Sequence, residues 1–104
     1  METKRQQIII VGGGPVGSLA ALLLARRGVP VTVLEASPEL VIDYRASTFH
    51  PPTLDLLEAC GATEALLSMG LIAPLWQHRD RKVGKVAEYD LSLLKNDTHH
   101  PYRV

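Results

Sequence analysis

The sequence predicts an α/β fold: a parallel β-α-β unit, then two short helices and the start of an antiparallel sheet. Three observations carry this. The β-branched run Ile8-Ile9-Ile10-Val11 stands directly before three glycines and a helical apolar pattern; Val31 to Leu34 repeat the strand signal; and after Pro74 the chain alternates weakly around a turn.

Ile8 to Val11 is unbroken and β-branched, the pattern of a parallel strand covered on both faces and therefore central in its sheet. Gly12, Gly14 and Gly17 follow as G-x-G-x-x-G. The first glycine permits a tight turn, the second lets backbone approach a pyrophosphate, and the third lets helix pack closely on strand. Pro15 falls where the helix begins, a place that needs no N–H and suits its fixed φ. The amide of Val16 and its neighbours then face outward from a helix tip that carries about half a positive charge, an anion site needing no basic side chain.

Val16, Leu19, Ala20, Leu23 and Leu24 recur at helical spacing as an apolar face, Ala21 is small enough to lie inside, and Arg26 and Arg27 complement the dipole in the last turn. Gly28 is a left-handed stop. The second strand ends on Glu35, eighteen residues after Gly17, close to the spacing at which a carboxylate meets the ribose of a bound nucleotide. Its charge would repel a 2′-phosphate. Strand, turn, helix, stop and acid coincide, so the stretch reads as a dinucleotide site.

Composition narrows the classes. Eleven basic and eleven acidic residues cancel, so no global field recruits nucleic acid or anionic lipid. Ile8 to Ala25 carries no charge for eighteen positions, near the length of a membrane span, but three glycines and Pro15 break it midway. Neither a span nor a signal sequence is expected. The lone Cys60 has no disulfide partner and points to a reducing cytoplasm.

Ala36 to His50 shows no helical period and is long enough to fold back over a ligand. Its one basic residue, Arg45, either returns to the phosphates and sugar chain of a long cofactor or pairs with Asp43 or Glu39 in solvent. Pro51 and Pro52 start a helix whose buried side is Leu54, Leu56, Leu57 and Cys60, with Gly61 as its stop. A second short helix puts Ala65, Leu66 and Met69 inward before Gly70. Cys60 lies on the apolar stripe and reads as a core thiol rather than a nucleophile.

Leu75 to Asp80 and Lys85 to Leu91 are the antiparallel strands, with Asp80 to Gly84 as the hairpin loop and Trp76 facing Tyr89 across them. His78, His99 and His100 lack the i, i+4 spacing of a zinc helix, so they are read as surface or hydrogen-bonding residues and no metal site is expected. The expected division is 1–73 for the nucleotide side and 74–104 for the start of a second, substrate-side sheet.

GGGPVG, the continuation to Gly28, VTVLEAS and then YRASTFHPPTLDLLEACG together resemble the amino-terminal segment of the FAD-dependent aromatic hydroxylases, the group A flavoprotein monooxygenases related to para-hydroxybenzoate hydroxylase and phenol hydroxylase. The Arg45 segment leading into the Pro-Thr-Leu helix is the more specific part. The resemblance implies a Rossmann-like FAD-binding unit, with Gly12, Gly14 and Gly17 at the pyrophosphate, Pro15 and Val16 at the helix tip, Glu35 on the adenosine ribose, and Arg45 on the ribityl-diphosphate. Ala36 and Ser47 would lie near the cofactor. His99 to Val104 looks like the family's strand returning toward the flavin domain.

For the family the resemblance implies that NADH or NADPH reduces the flavin, oxygen adds at flavin C4a, and the hydroperoxide hydroxylates a small phenolic substrate. The chain is expected to be the opening part of such a protein, inactive by itself, and none of its residues reads as a convincing general acid or base. The alternatives are an NAD-dependent dehydrogenase or other flavoprotein oxidoreductase, and a truncated, non-catalytic nucleotide-binding module.

Overall fold

A computed structural model of the chain describes residues 7–40, 42 and 46–104. It forms two compact units, Met1–Tyr44 and Arg45–Val104. No helix among the described residues is long and apolar enough to cross a membrane.

The first unit is the expected β-α-β element. Strands β1 (Ile8–Val11) and β2 (Val31–Leu34) pair in parallel, Ile8 beside Val31 through to Val11 beside Leu34. Helix α1 (Pro15–Arg26) crosses between them with Pro15 in its first turn. It ends as anticipated: Gly28 has φ +75°, its N–H donates to Ala25 O (2.9 Å), and Val29 N–H reaches back to Leu24 O (3.1 Å). This is a Schellman closure, which only a residue free of a Cβ adopts without strain.

Two burial expectations change. Ile10 faces α1 and is half-buried, whereas Ile9 and Val11 on the opposite face are 60% and 83% exposed. Only β2 pairs with β1 and only α1 covers the pair among the described residues, so β1 is covered on one face rather than two. Val16 leaves the apolar face of α1 and is largely exposed, because it sits in the first turn at the glycine end; Leu19, Ala20, Leu23 and Leu24 are half-buried as expected.

The second unit holds α2 (Pro51–Glu58), α3 (Thr63–Met69), and the hairpin of β3 (Leu75–Asp80) and β4 (Gly84–Asp90), followed by a 3₁₀ turn at Leu91–Leu94. Its centre is Leu54, fully buried, capped by Thr63, whose hydroxyl donates to Leu54 O (2.7 Å). Gly61, at φ +75°, closes α2 as Gly28 closes α1, with Ala62 N–H donating to Leu57 O (3.0 Å). Leu57 and Cys60 are half-buried, but Leu56 is turned out, the α2 stripe following positions 54, 57 and 60. On α3 the inward pair is Leu66 and Leu67, and Ala65 and Met69 face solvent.

The hairpin has the anticipated register, Trp76 opposite Tyr89, with an irregularity between His78 and Arg79. Asp80 builds the turn: its Oδ1 accepts from Lys82 N–H (2.7 Å) and Val83 N–H (3.0 Å), holding its carboxyl below the usual range, and Gly84 at φ +81° completes the bend. Trp76 stacks on His78 (5.5 Å between rings), leans on Tyr89 (6.3 Å), and carries the Arg103 guanidinium over its face (5.0 Å). The returning segment ties the unit together, Arg103 exchanging backbone bonds with Ala73 and Val104 with Phe49. A Cβ on Gly70 would lie 2.2 Å from Val104 Cγ1, so the α3 stop is glycine for space and not for φ, which is −100°.

Candidate nucleotide-binding site

The site begins where β1 ends. Gly12 N–H donates to Leu34 O (2.7 Å), extending the parallel ladder one residue, and the chain then turns at φ +104°, a conformation costly for any residue with a Cβ. The turn delivers Gly14 as N-cap of α1 in extended conformation (φ −67°), and no side chain caps that helix end among the described residues. Pro15 has no N–H, so the amides that open the helix belong to Val16 and Gly17.

The three glycines have separable reasons. Gly17 packs α1 onto the turn so closely that a Cβ there would stand 2.0 Å from Gly12 O and 3.3 Å from Ile10 Cγ2. Gly14 is the opposite case, with nothing within 4 Å of where its Cβ would be. Packing therefore does not require glycine at 14. The space beside it is open, which is what an approaching diphosphate needs.

Glu35 closes the other side. Its Oε2 accepts from Gly13 N–H (2.6 Å) and its Oε1 from Ser37 N–H (2.8 Å). These bonds, Ser37 first, with a smaller one from Ala36, hold the carboxyl below its ordinary 4.5. The acid is thus anionic, exposed and fixed to the turn, and each oxygen keeps lone-pair capacity for a sugar hydroxyl.

Gly13, Ser18 and Ser37 were not among the expected site residues. A Cβ on Gly13 would press on Glu35 Cβ at 3.2 Å, so the middle glycine of GGG makes room for the acid. Ser18 Oγ donates to Gly13 O (2.8 Å) and locks the turn from the helix side. The legible signal was a glycine at the free middle position of G-x-G. Gly12, Gly14, Pro15, Val16, Gly17, Glu35 and Ala36 all lie in the first unit around this turn; Arg45 lies outside the described residues, and Ser47 is exposed in the second unit.

A family model described as FAD binding domain matches residues 5–102. The chain belongs to this family of FAD-binding domains. It is 37% identical over 97 residues to para-nitrophenol 4-monooxygenase of Pseudomonas sp. (strain WBC-3), covering 93% of this chain and 24% of that protein. It is 39% identical over 100 residues to 6-hydroxy-3-succinoylpyridine 3-monooxygenase HspB of Pseudomonas putida (strain DSM 28022 / S16), covering 96% and 25%. The crystal structure of p-nitrophenol 4-monooxygenase PnpA from Pseudomonas putida DLL-E4 superimposes with a TM-score of 0.79 at 34% identity, over 94% of this chain and 26% of that one. This FAD-binding domain therefore spans about a quarter of the length of the relatives it matches. The open cradle at Gly14, the uncapped tip of α1 and the anionic Glu35 fit the diphosphate and ribose of FAD, the family's cofactor.

Proposed function

We propose that this chain supplies the FAD-binding site of an NAD(P)H-dependent flavoprotein monooxygenase that hydroxylates a small phenolic aromatic compound in the cytoplasm. The observation that carries the reading is the glycine turn, in which Gly17 is fixed by packing while Gly14 is left with open space beside an uncapped helix tip. The likeness to para-nitrophenol 4-monooxygenase and to the pyridine monooxygenase HspB supports the aromatic substrate class.

In this reading the amides of Val16 and Gly17 take the diphosphate, with Gly12 and Pro15 setting their direction. Glu35 accepts from the adenosine ribose hydroxyls, Ala36 lines the approach, and Arg45 neutralises the ribityl-diphosphate. Residues 1–73 belong to the cofactor side, and 74–104 open a sheet on the substrate side. When bound, FAD supplies the redox chemistry, taking a hydride from NADH or NADPH and passing the electrons to oxygen. The chain's own contribution is binding and orientation.

The test titrates the purified chain with FAD and, separately, with NAD, reading flavin fluorescence and protein melting. Saturable binding of FAD in preference to NAD is expected. Binding of NAD with indifference to FAD would replace this reading with a nicotinamide dehydrogenase. The longest reading frame that contains the chain is expected to consume NAD(P)H and oxygen with a nitrophenol, and the chain alone is not.

A further inference from the structure

The second unit brings together two pairs of groups that lie some forty residues apart in sequence. Asp55 and Glu58 stand three residues apart on α2 and so share one side of it. The returning segment sets His99 and His100 against them. One donor atom from each of Asp55, Glu58 and His100 lies within 4.8 Å of the other two. Both carboxylates line a cleft of about 360 Å³ with Thr98 and His99.

His100 is the informative member. It is 7% exposed, and its Nε2 is buried with no hydrogen-bond partner among the described residues, 3.5 Å from Glu58 Oε2. Its other nitrogen, Nδ1, is 3.0 Å from the Tyr102 hydroxyl. The proton of that bond can sit on either partner: with Nδ1–H donating, the Nε2 lone pair faces the Glu58 carboxylate, and with the Tyr102 hydroxyl donating, Nε2–H faces it. A buried lone pair facing a carboxylate is unfavourable unless something positive lies between them. Lys95 lines the same cleft but makes no ion pair with either acid among the described residues. His99 approaches from outside, its Nδ1 3.0 Å from the same Glu58 oxygen.

We propose that Asp55, Glu58 and His100 hold a divalent first-row transition-metal ion of the zinc class, with a fourth position left to solvent, and that the ion clamps α2 to the returning 98–104 segment. The donor set is one buried imidazole nitrogen and two carboxylates, and the nitrogen favours such an ion over calcium or magnesium. Two carboxylates also match its charge. Tyr102 bonded to Nδ1 and Thr98 donating to Asp55 Oδ1 (2.8 Å) supply the outer hydrogen bonds that orient ligands. Helical i, i+4 spacing is absent because the imidazole ligand comes from another segment.

The chelator-stripped chain is titrated with ZnCl2 by calorimetry and melted with and without the ion, with CoCl2 as a visible-absorbing substitute. One ion per chain and a raised melting temperature are expected. Glu58→Gln and Asp55→Asn should each weaken zinc at least about 10-fold, the loss typical of a disturbed metal shell, while leaving the zinc-free melting temperature in place. His100→Gln should abolish binding and weaken the cobalt absorption; should that variant misfold, the two carboxylate variants decide. Failure to bind zinc in the micromolar range, equal affinity in wild type and both carboxylate variants, or equal displacement by CaCl2 would each overturn the proposal.

Discussion

Gly14→Ala and Gly17→Ala separate what the turn needs for folding from what it needs for a ligand. At Gly17 the new Cβ would sit 2.0 Å from Gly12 O, so helix and turn must part by about 1 Å before the contact becomes tolerable. Overpacking of that kind costs about 1–3 kcal/mol, and each kcal/mol moves the melting temperature of a domain this size by roughly 4–8 °C. At Gly14 there is open space and φ is −67°, which alanine adopts freely. Alanine caps a helix less well than glycine, but it also restricts the unfolded chain by about 0.4–1 kcal/mol, and the two effects nearly cancel. Gly14→Ala should therefore melt with the wild type yet bind FAD at least about 10-fold more weakly, a loss of about 1.4 kcal/mol, because the methyl occupies the space the diphosphate needs. Gly17→Ala should lose both. The measurements are thermal melting by circular dichroism and FAD titration by fluorescence. Unchanged FAD affinity in Gly14→Ala would show that no ligand approaches there, and the assignment of the cradle would fall.

Four further outcomes are expected. Leu54→Ala removes the one large side chain that is fully buried among the described residues and should cost about 2–5 kcal/mol in chemical denaturation, since a void at the centre of the second unit cannot collapse onto a second core. Glu35 has a folded pKa below its ordinary 4.5, so the stabilisation it lends the turn is present above that value and lost only as pH falls through the depressed one; a carboxyl NMR titration should place its midpoint under 4.5, and FAD affinity should not fall between pH 7 and pH 5 through this group. Glu35→Gln should weaken FAD several-fold and release the Gly13 and Ser37 amides to faster hydrogen exchange. Tyr89→Ala should cost about 0.5–1.5 kcal/mol beyond the area it exposes, by removing the ring that meets both Trp76 and His78, as measured in a double-mutant cycle with Trp76.

What was legible in the sequence was local. Both strands of the first unit, the proline start of α1, the left-handed Gly28 and Gly61, the Asp80 turn and the Trp76–Tyr89 pair each follow from neighbours within one element or one hairpin. Burial was less legible wherever the partner lies elsewhere. β1 has the composition of a strand covered twice and is covered once among the described residues. The seven-residue α3 has too few turns for its period to decide between Met69 and Leu67. Glu35 was readable as a ribose acceptor by spacing, but its anchoring through the Gly13 and Ser37 amides was not, because spacing gives distance along a chain and not which amide is left over.

The same limit explains why the second unit's polar cluster escapes a motif search. Asp55 and Glu58 alone are an ordinary polar helix side, and His99-His100 alone are an ordinary loop. They become one environment only because Val104 pairs with Phe49 and Arg103 with Ala73, backbone bonds that pull the returning segment across α2. His100 Nε2 is buried without a hydrogen bond among the described residues and lies 3.5 Å from Glu58 Oε2, a place where a proton or a metal ion lowers the cost of burial. Filling that place with a divalent ion would join α2 to the returning segment across some forty residues of chain, where loop entropy otherwise opposes the contact. The acid of the nucleotide turn in the first unit needs no such device, since the Gly13 and Ser37 amides bond it within a span of twenty-five residues.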